Sequence, residues 1–272
     1  SLSTLRAITG RTANELGVLN QQAKELGSTT QFTAVQVVEL QTELAKLGFT
    51  VKDIENSTPA ILDLAASLEV DLASAAELAG SVVRSFGLDT IDTQRVVDVM
   101  SLSTSASALN FEALRESIKV VAPAARATNV SIEKTAALLG VLANNGLKGS
   151  VAGNGLSKTF IELNKKGITL EEGMEKVKNS TNKLNTAIDL VGVVGAKSFL
   201  SLAESGEQIK KLEKDFDGAE GAAKRMAEVR LDNLTGDTTK LSSAWEGFLL
   251  GIEDGDGIIN ELQRGSIQLL TS

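Results

Sequence analysis

Apolar positions along this chain recur at intervals of three and four, the spacing of one helix face, and nowhere alternate as a strand would. Residues 12–15, "TANE", read as a capping box in which the Thr12 hydroxyl takes an orphan amide and Glu15 reaches back to Thr12. Leu16, Leu19, Ala23 and Leu26 then form one stripe, with Gly27 as the predicted stop. A second helix is predicted from about Thr33 to Leu47, with Val37, Leu40, Leu44 and Leu47 inward and Gly48 closing it. Pro59 is predicted to open a third, carrying Ile61, Leu64, Ala65 and Leu68. Thr169 and Glu172 form another capping box. The fold class expected from this punctuation is all-α: a multi-helix bundle of short helices joined by Gly-capped turns, with no substantial β-sheet.

A weak internal repeat relates residues 70–87 to 130–146 at an offset of 60, matching Leu72, Ala75, Ala76, Ala79 and Val82 to Ile132, Thr135, Ala136, Leu139 and Leu142. Gly80 and Gly140 match inside the helices, where glycine destabilises unless two backbones approach closely. An apolar residue precedes a cap at Phe32-Thr33, Val70-Asp71, Leu109-Asn110 and Val130-Ser131, the order of a hydrophobic staple. The irregular period predicts helical hairpins in one bundle rather than a solenoid. Residues 1–167 are expected to form this N-terminal bundle.

Beyond residue 167, Lys and Glu become denser, and residues 168–272 are expected to form a second, more charged helical region with shorter, more exposed helices. Its strongest element is predicted around Leu241, Ala244, Trp245, Phe248, Leu249 and Ile252, a core face or a docking face.

Composition narrows the function. The chain has no Cys and no His, which removes disulfides, thiolate metal sites and the commonest general base. Eight Phe, one Trp and no Tyr leave small and aliphatic residues to fill the core. The net charge is −8, spread evenly, with no basic stripe to neutralise phosphates, so nucleic-acid binding is not expected. The most apolar stretch, residues 190–196, lies between Asp189 and Lys197 and is too short to span a bilayer. With Ser1 at its start and no signal peptide, the chain reads as a piece of a longer polypeptide. One unbroken helix of this length would run about 400 Å, but 24 glycines argue for a folded module with a radius of gyration near ~19 Å.

No candidate chemistry survives its own spacing rules, so no catalytic, cofactor-binding or metal-binding residues are expected. The glycine-rich residues 144–158, "NNGLKGSVAGNGLSK", suggest a phosphate cradle, but a P-loop needs glycine where Asn154 stands and Gly-Lys where Ser157-Lys158 stands. What precedes is a helix ending at Gly146, so the stretch is expected to be a corner. Ser-x-x-Lys occurs at Ser131/Lys134 and Ser180/Lys183 without its companion motifs. Residues 253–257, "EDGDG", would need ligands at Ile252 and Gln263 to bind calcium. Paired carboxylates lack the aromatic platforms of a sugar hydrolase.

Four segments in order resemble a known family: residues 25–54, 59–89, 122–153 and 231–248, of which "APAARATNVSIEKTAALLGVLANNGLKGSVAG" (122–153) is the most specific. Together they resemble the core region of phage tail tape measure proteins across nearly all of the chain. One departure is Asn154, where the family usually has Thr. The resemblance implies a non-enzymatic structural protein of a phage or prophage. Such a protein fills the lumen of the growing tail, sets tail length, and leaves at infection. It implies as partners the tail tube and tip or baseplate proteins, tail assembly chaperones and further copies of itself, with no cofactor, small-molecule substrate, specific nucleic acid or membrane span. Localisation would be the virion tail, after assembly in the host cytoplasm. Acidity suits a protein that must not hold DNA passing along the same channel, an expectation that measurable duplex affinity at physiological salt would overturn. The alternative is a helical interaction adaptor or secreted effector domain without enzymatic activity.

Overall fold

The computed structural model describes residues 2–12, 14–232 and position 243; among them are thirteen α-helices and no strand. Packing divides the chain into two compact units, residues 1–62 with 228–272 and residues 63–227.

In the first unit lie α1 (Leu2–Thr9), α2 (Gly17–Thr29), α3 (Ala34–Lys46) and α4 (Val51–Leu68) up to Leu62. The Thr12 capping box forms, with the Thr12 amide on Glu15 Oε2 at 2.8 Å, although regular helix begins only at Gly17. Gly27 is not the stop that its position suggested. It lies inside α2, and a Cβ there would come within 2.5 Å of the Ala34 nitrogen, so its role is to let the start of α3 touch α2. Nor does Pro59 open a helix. Thr50 and Asp53 cap α4 eight residues earlier, through an Asp53 Oδ2 bond from the Thr50 amide at 2.9 Å, and Pro59 sits in mid-helix. Its ring removes the donor that Glu55 O would otherwise receive. Gln22 Nε2 supplies that bond instead at 2.8 Å. The fully buried Gln41 in turn donates to Leu19 O (2.9 Å) and Gln22 Oε1 (3.2 Å).

The second unit contains α5 (Leu72–Phe86), α6 (Thr93–Ala106), α7 (Phe111–Ala127), α8 (Ile132–Asn144), α9 (Gly149–Lys165), α10 (Leu170–Lys178), α11 (Lys183–Ala203), α12 (Gly206–Asp217) and α13 (Ala222–Leu231) up to Ala227. Of these, α8 is buried on nearly every side, as its run of apolar residues requires. Its Glu133 is the exception in type, and Arg95 Nη1 pairs with it at 2.6 Å. Gly140 is a close approach, with Leu212 and Ser107 both 3.2 Å from where its Cβ would be. After residue 167, α10 is short and polar, whereas α11, the longest helix among the described residues, lines the core with Leu190, Val191, Phe199 and Leu202.

A single connection recurs. After α3, α5, α8 and α9 a left-handed glycine (Gly48, Gly87, Gly146, Gly167) donates back to the helix, and the apolar residue after it donates to a carbonyl five residues earlier: Phe49 to Leu44, Leu88 to Val83, Leu147 to Leu142, Ile168 to Leu163. Asn129 takes the glycine's place after α7, with Val130 donating to Ala125 O at 2.8 Å. The next residue then starts another element: Thr50, Asp89, Ser131 and Thr169 each form side-chain cap bonds, whereas Lys148 does not. One apolar side chain thus ends one helix and begins the next. The apolar-then-cap order read from the sequence holds at Thr33, Asp71, Asn110 and Ser131, all of which accept a cap bond.

Candidate functional site

The glycine-rich residues 144–158 are only partly a corner. The turn ends at Lys148, and from Gly149 onward they are helix. Glu116 lies against Gly149, so that a Cβ there would overlap Glu116 Oε2. Further along α9, a Cβ on Gly153 would stand 2.6 Å from Ser117 O of α7, and one on Gly155 would overlap Ser198 Oγ of α11. The two glycines bring α9 against a neighbour on either side. Both asparagines act as ties: Asn144 Oδ1 accepts from the Ala108 amide at 2.8 Å, and Asn145 Nδ2 donates to Ser201 Oγ and Ser205 Oγ at 2.9 and 3.0 Å. Asn154 is exposed and touches none of this.

Neither Ser-x-x-Lys pair is a dyad. Ser131 Oγ accepts from the Lys134 amide as a cap, while Lys134 Nζ pairs with Glu171. Burial would raise the Glu171 carboxyl, but the hydrogen bond from Lys134 and its charge outweigh this and hold it below the usual carboxylate range. Ser180 Oγ is shared with Thr186 at 2.7 Å, and Lys183 reaches Glu204 instead. No group of three or more carboxylates among the described residues is placed to hold a metal. The "EDGDG" segment and the Trp245 face lie outside the described residues.

Sequence reasoning missed Asp98. Its carboxylate, in mid-α6 and 1% exposed, accepts from the Gly221 amide (2.8 Å), the Ala223 amide (2.9 Å) and Gln94 Nε2 (3.2 Å). It therefore caps α13 from 123 residues away. The signal was present: Asp98 stands between Val96-Val97 and Val99-Met100, and a carboxylate buried in such a run must be hydrogen-bonded.

The most distinctive geometry is in α11. By length and composition it is the one helix among the described residues apolar enough to cross a membrane. It is not straight. Gly192 has φ 75° and ψ 168°, a conformation essentially restricted to glycine. Lys183 and Glu204, one residue beyond the helix, form an ion pair at 3.3 Å; a straight helix would hold them about 30 Å apart. The helix folds back on itself, and the fold leaves Val193 and Val194 at its tip, 76% and 63% exposed. At the opposite end an open groove of about 820 Å³ runs between α10 and α12, floored by Met174, Ala203 and Ile209.

Caps, glycine crossings and ties account for these residues, and relatives decide what the arrangement belongs to. The family described as phage-related minor tail proteins matches residues 20–246. This chain belongs to that family. The chain is 31% identical over 280 residues to the tape measure protein of Pneumococcus phage Dp-1, covering 93% of this chain and 24% of that protein. It is 27% identical over 302 residues to the probable tape measure protein of Escherichia phage P2, covering 99% of this chain and 36% of that protein. The chain thus spans about a quarter to a third of the length of these relatives. No solved structure matches it. The match takes in the corners, the glycine crossing and the α11 fold-back, so the resemblance to tape measure proteins read from four segments extends over nearly the whole chain.

Proposed function

We propose that this segment serves a tape measure protein: a structural, non-enzymatic part of a phage tail that acts inside the tube during assembly, helps determine tail length, and leaves at infection. The observation that carries the reading is similarity to two tape measure proteins along 93% and 99% of the chain. Its partners are the tail tube and tip or baseplate proteins, assembly chaperones and further copies of itself. It assembles in the host cytoplasm and resides in the virion tail.

Within that role the segment acts as a folded module, and the length-setting ruler lies mainly elsewhere in the parent protein. The short helices and their left-handed corners support this reading, because each corner ends one helix and starts the next element within four residues. The test is an in-frame deletion of residues 63–227 from the parent gene, with tail lengths measured by electron microscopy. A module predicts defective tails or tails of nearly unchanged length. Tails shortened by about 250 Å, the span of 165 residues as continuous helix, would overturn it in favour of an extended ruler.

A further inference from the structure

The five corners described above share three parts: a residue with left-handed backbone, an apolar residue folded under it, and a third residue that starts the next element. In each the apolar residue is buried or half-buried, as Phe49 and Leu147 are at 8% and 7% exposure. In four of them the third residue, Thr50, Asp89, Ser131 or Thr169, caps through its side chain. The turn inside α11 keeps only the first part. Gly192 is left-handed, but Val193 after it is 76% exposed. Val194 stands in the cap position and has no oxygen to accept an amide. Local sequence therefore favours one continuous helix and packing alone folds it, and such a conflict between levels marks an element with two arrangements. Straightening would restore the backbone bonds that a break leaves open.

The two arms are held unequally. In the later arm, residues 193–203, Phe199 and Leu202 are fully buried, Ser198 lies against Gly155 of α9, and Ser201 accepts from Asn145. The earlier arm, residues 183–191, buries Ala187, Leu190 and Val191. Its far end is clasped by the Lys183–Glu204 pair, whose side chains are 45% and 62% exposed; an ion pair that open to water holds weakly. The chain connection also permits movement of this arm. Gly155 lies beside Ser198 and Lys158 beside Gly195, so three residues forward on α9 are three back on α11. An earlier arm that continued straight along this line would bring Lys183 level with Leu170, the start of α10, and residues 170–182 suffice to connect the two.

We propose that α11 is a hinge with two states: the folded-back form, latched by Lys183 and Glu204, and a straight form in which residues 183–203 make one helix. Gly192 is the pivot, the later arm stays with α9, and the earlier arm moves. The inference goes beyond the tail reading and does not rest on it, because it concerns one element of one chain.

The experiment is double electron–electron resonance between spin labels at L184C and E207C in the 272-residue chain, which has no cysteine of its own. Both positions are exposed. The short distance of the folded-back form predominates in the otherwise unchanged chain, and the straight form is longer by roughly 20 Å. G192A puts a side chain on a backbone with φ 75° and moves the main population to the long distance. E204K turns the latch into a repulsion and raises the long fraction by about threefold. V194T supplies the missing cap and lowers it. A folded G192A that keeps the short distance and only melts earlier overturns the hinge, since the turn is then a fixed corner. Where circular dichroism shows that G192A has lost helix, E204K and V194T decide: opposite shifts support the hinge, and unchanged distances overturn it. Tail length enters none of these outcomes, so a failed deletion experiment would leave them intact.

Discussion

The side chain of Gln22 donates to the carbonyl of Glu55, the oxygen that Pro59 leaves without a helical donor. A proline inside a helix usually destabilises it by about 3 kcal/mol, and here one of its two consequences is repaired by a residue 33 positions before Glu55. Replacing Gln22 with Leu should lower stability by about 1–2 kcal/mol. In a Pro59→Ala background the same change should cost less, because the Ala amide restores the helical bond. A double-mutant cycle followed by urea denaturation measures this, and a coupling energy near zero would contradict it.

The α9 crossing makes an asymmetric prediction. Gly155→Ala meets the Ser198 side chain, whereas Gly153→Ala meets the Ser117 backbone carbonyl. Both should destabilise by about 1–3 kcal/mol. Ser198→Gly should recover part of the loss for Gly155→Ala, since it removes the obstacle, but Ser117→Gly should recover none for Gly153→Ala. Asn154→Thr, between them and exposed, should stay within ~0.5 kcal/mol of wild type. Melting temperatures of the five variants decide the matter.

Asp98 presents two oxygens to two amides at the start of α13. Asp98→Ala should cost about 2–3 kcal/mol by leaving buried donors unpaired. Asp98→Asn should cost less, because one acceptor oxygen remains. Hydrogen exchange offers the specific readout: protection should fall at Gly221 and Ala223 before it falls in α8.

Acid should weaken the fold through its caps. Asp71 is held below the usual carboxylate range by the Ser74 amide, and Glu77 by the hydrogen bond and charge of Lys119. Glu15 and Glu172 are lowered by bonds from the backbones of Thr12 and Thr169. A carboxylate with a lowered folded pKa contributes stability that is complete above its unfolded value, near ~4, and is lost as pH falls through the folded one. Stability should therefore be flat from neutral pH down to about 5 and decline below ~4. Asp71→Ser, which caps without titrating, should shallow that decline in pH-dependent melting curves.

Helix existence was legible in the sequence wherever a cap and a periodic stripe coincide, as at Thr33, Ser131 and Thr169. Long-range roles were not. Gly27 looks like a stop because local pattern cannot distinguish a glycine that ends a helix from one that admits a neighbour, and only Ala34 separates the two. Pro59 looks like a start because its partner Gln22 lies far away in the chain. Gly192 sits in an apolar run with no cap or charge to mark it, and its fold-back is visible only through the Lys183–Glu204 pair.

The shared apolar residue in each corner also governs where a chain of this design can change length. Phe49, Val130, Leu147 and Ile168 each serve the end of one helix and the beginning of another, so a residue inserted beside any of them disturbs two elements at once. The alignment with the phage P2 protein runs over 302 residues, more than the 272 of this chain. Extra residues that fell beside a corner would disturb both helices that meet there.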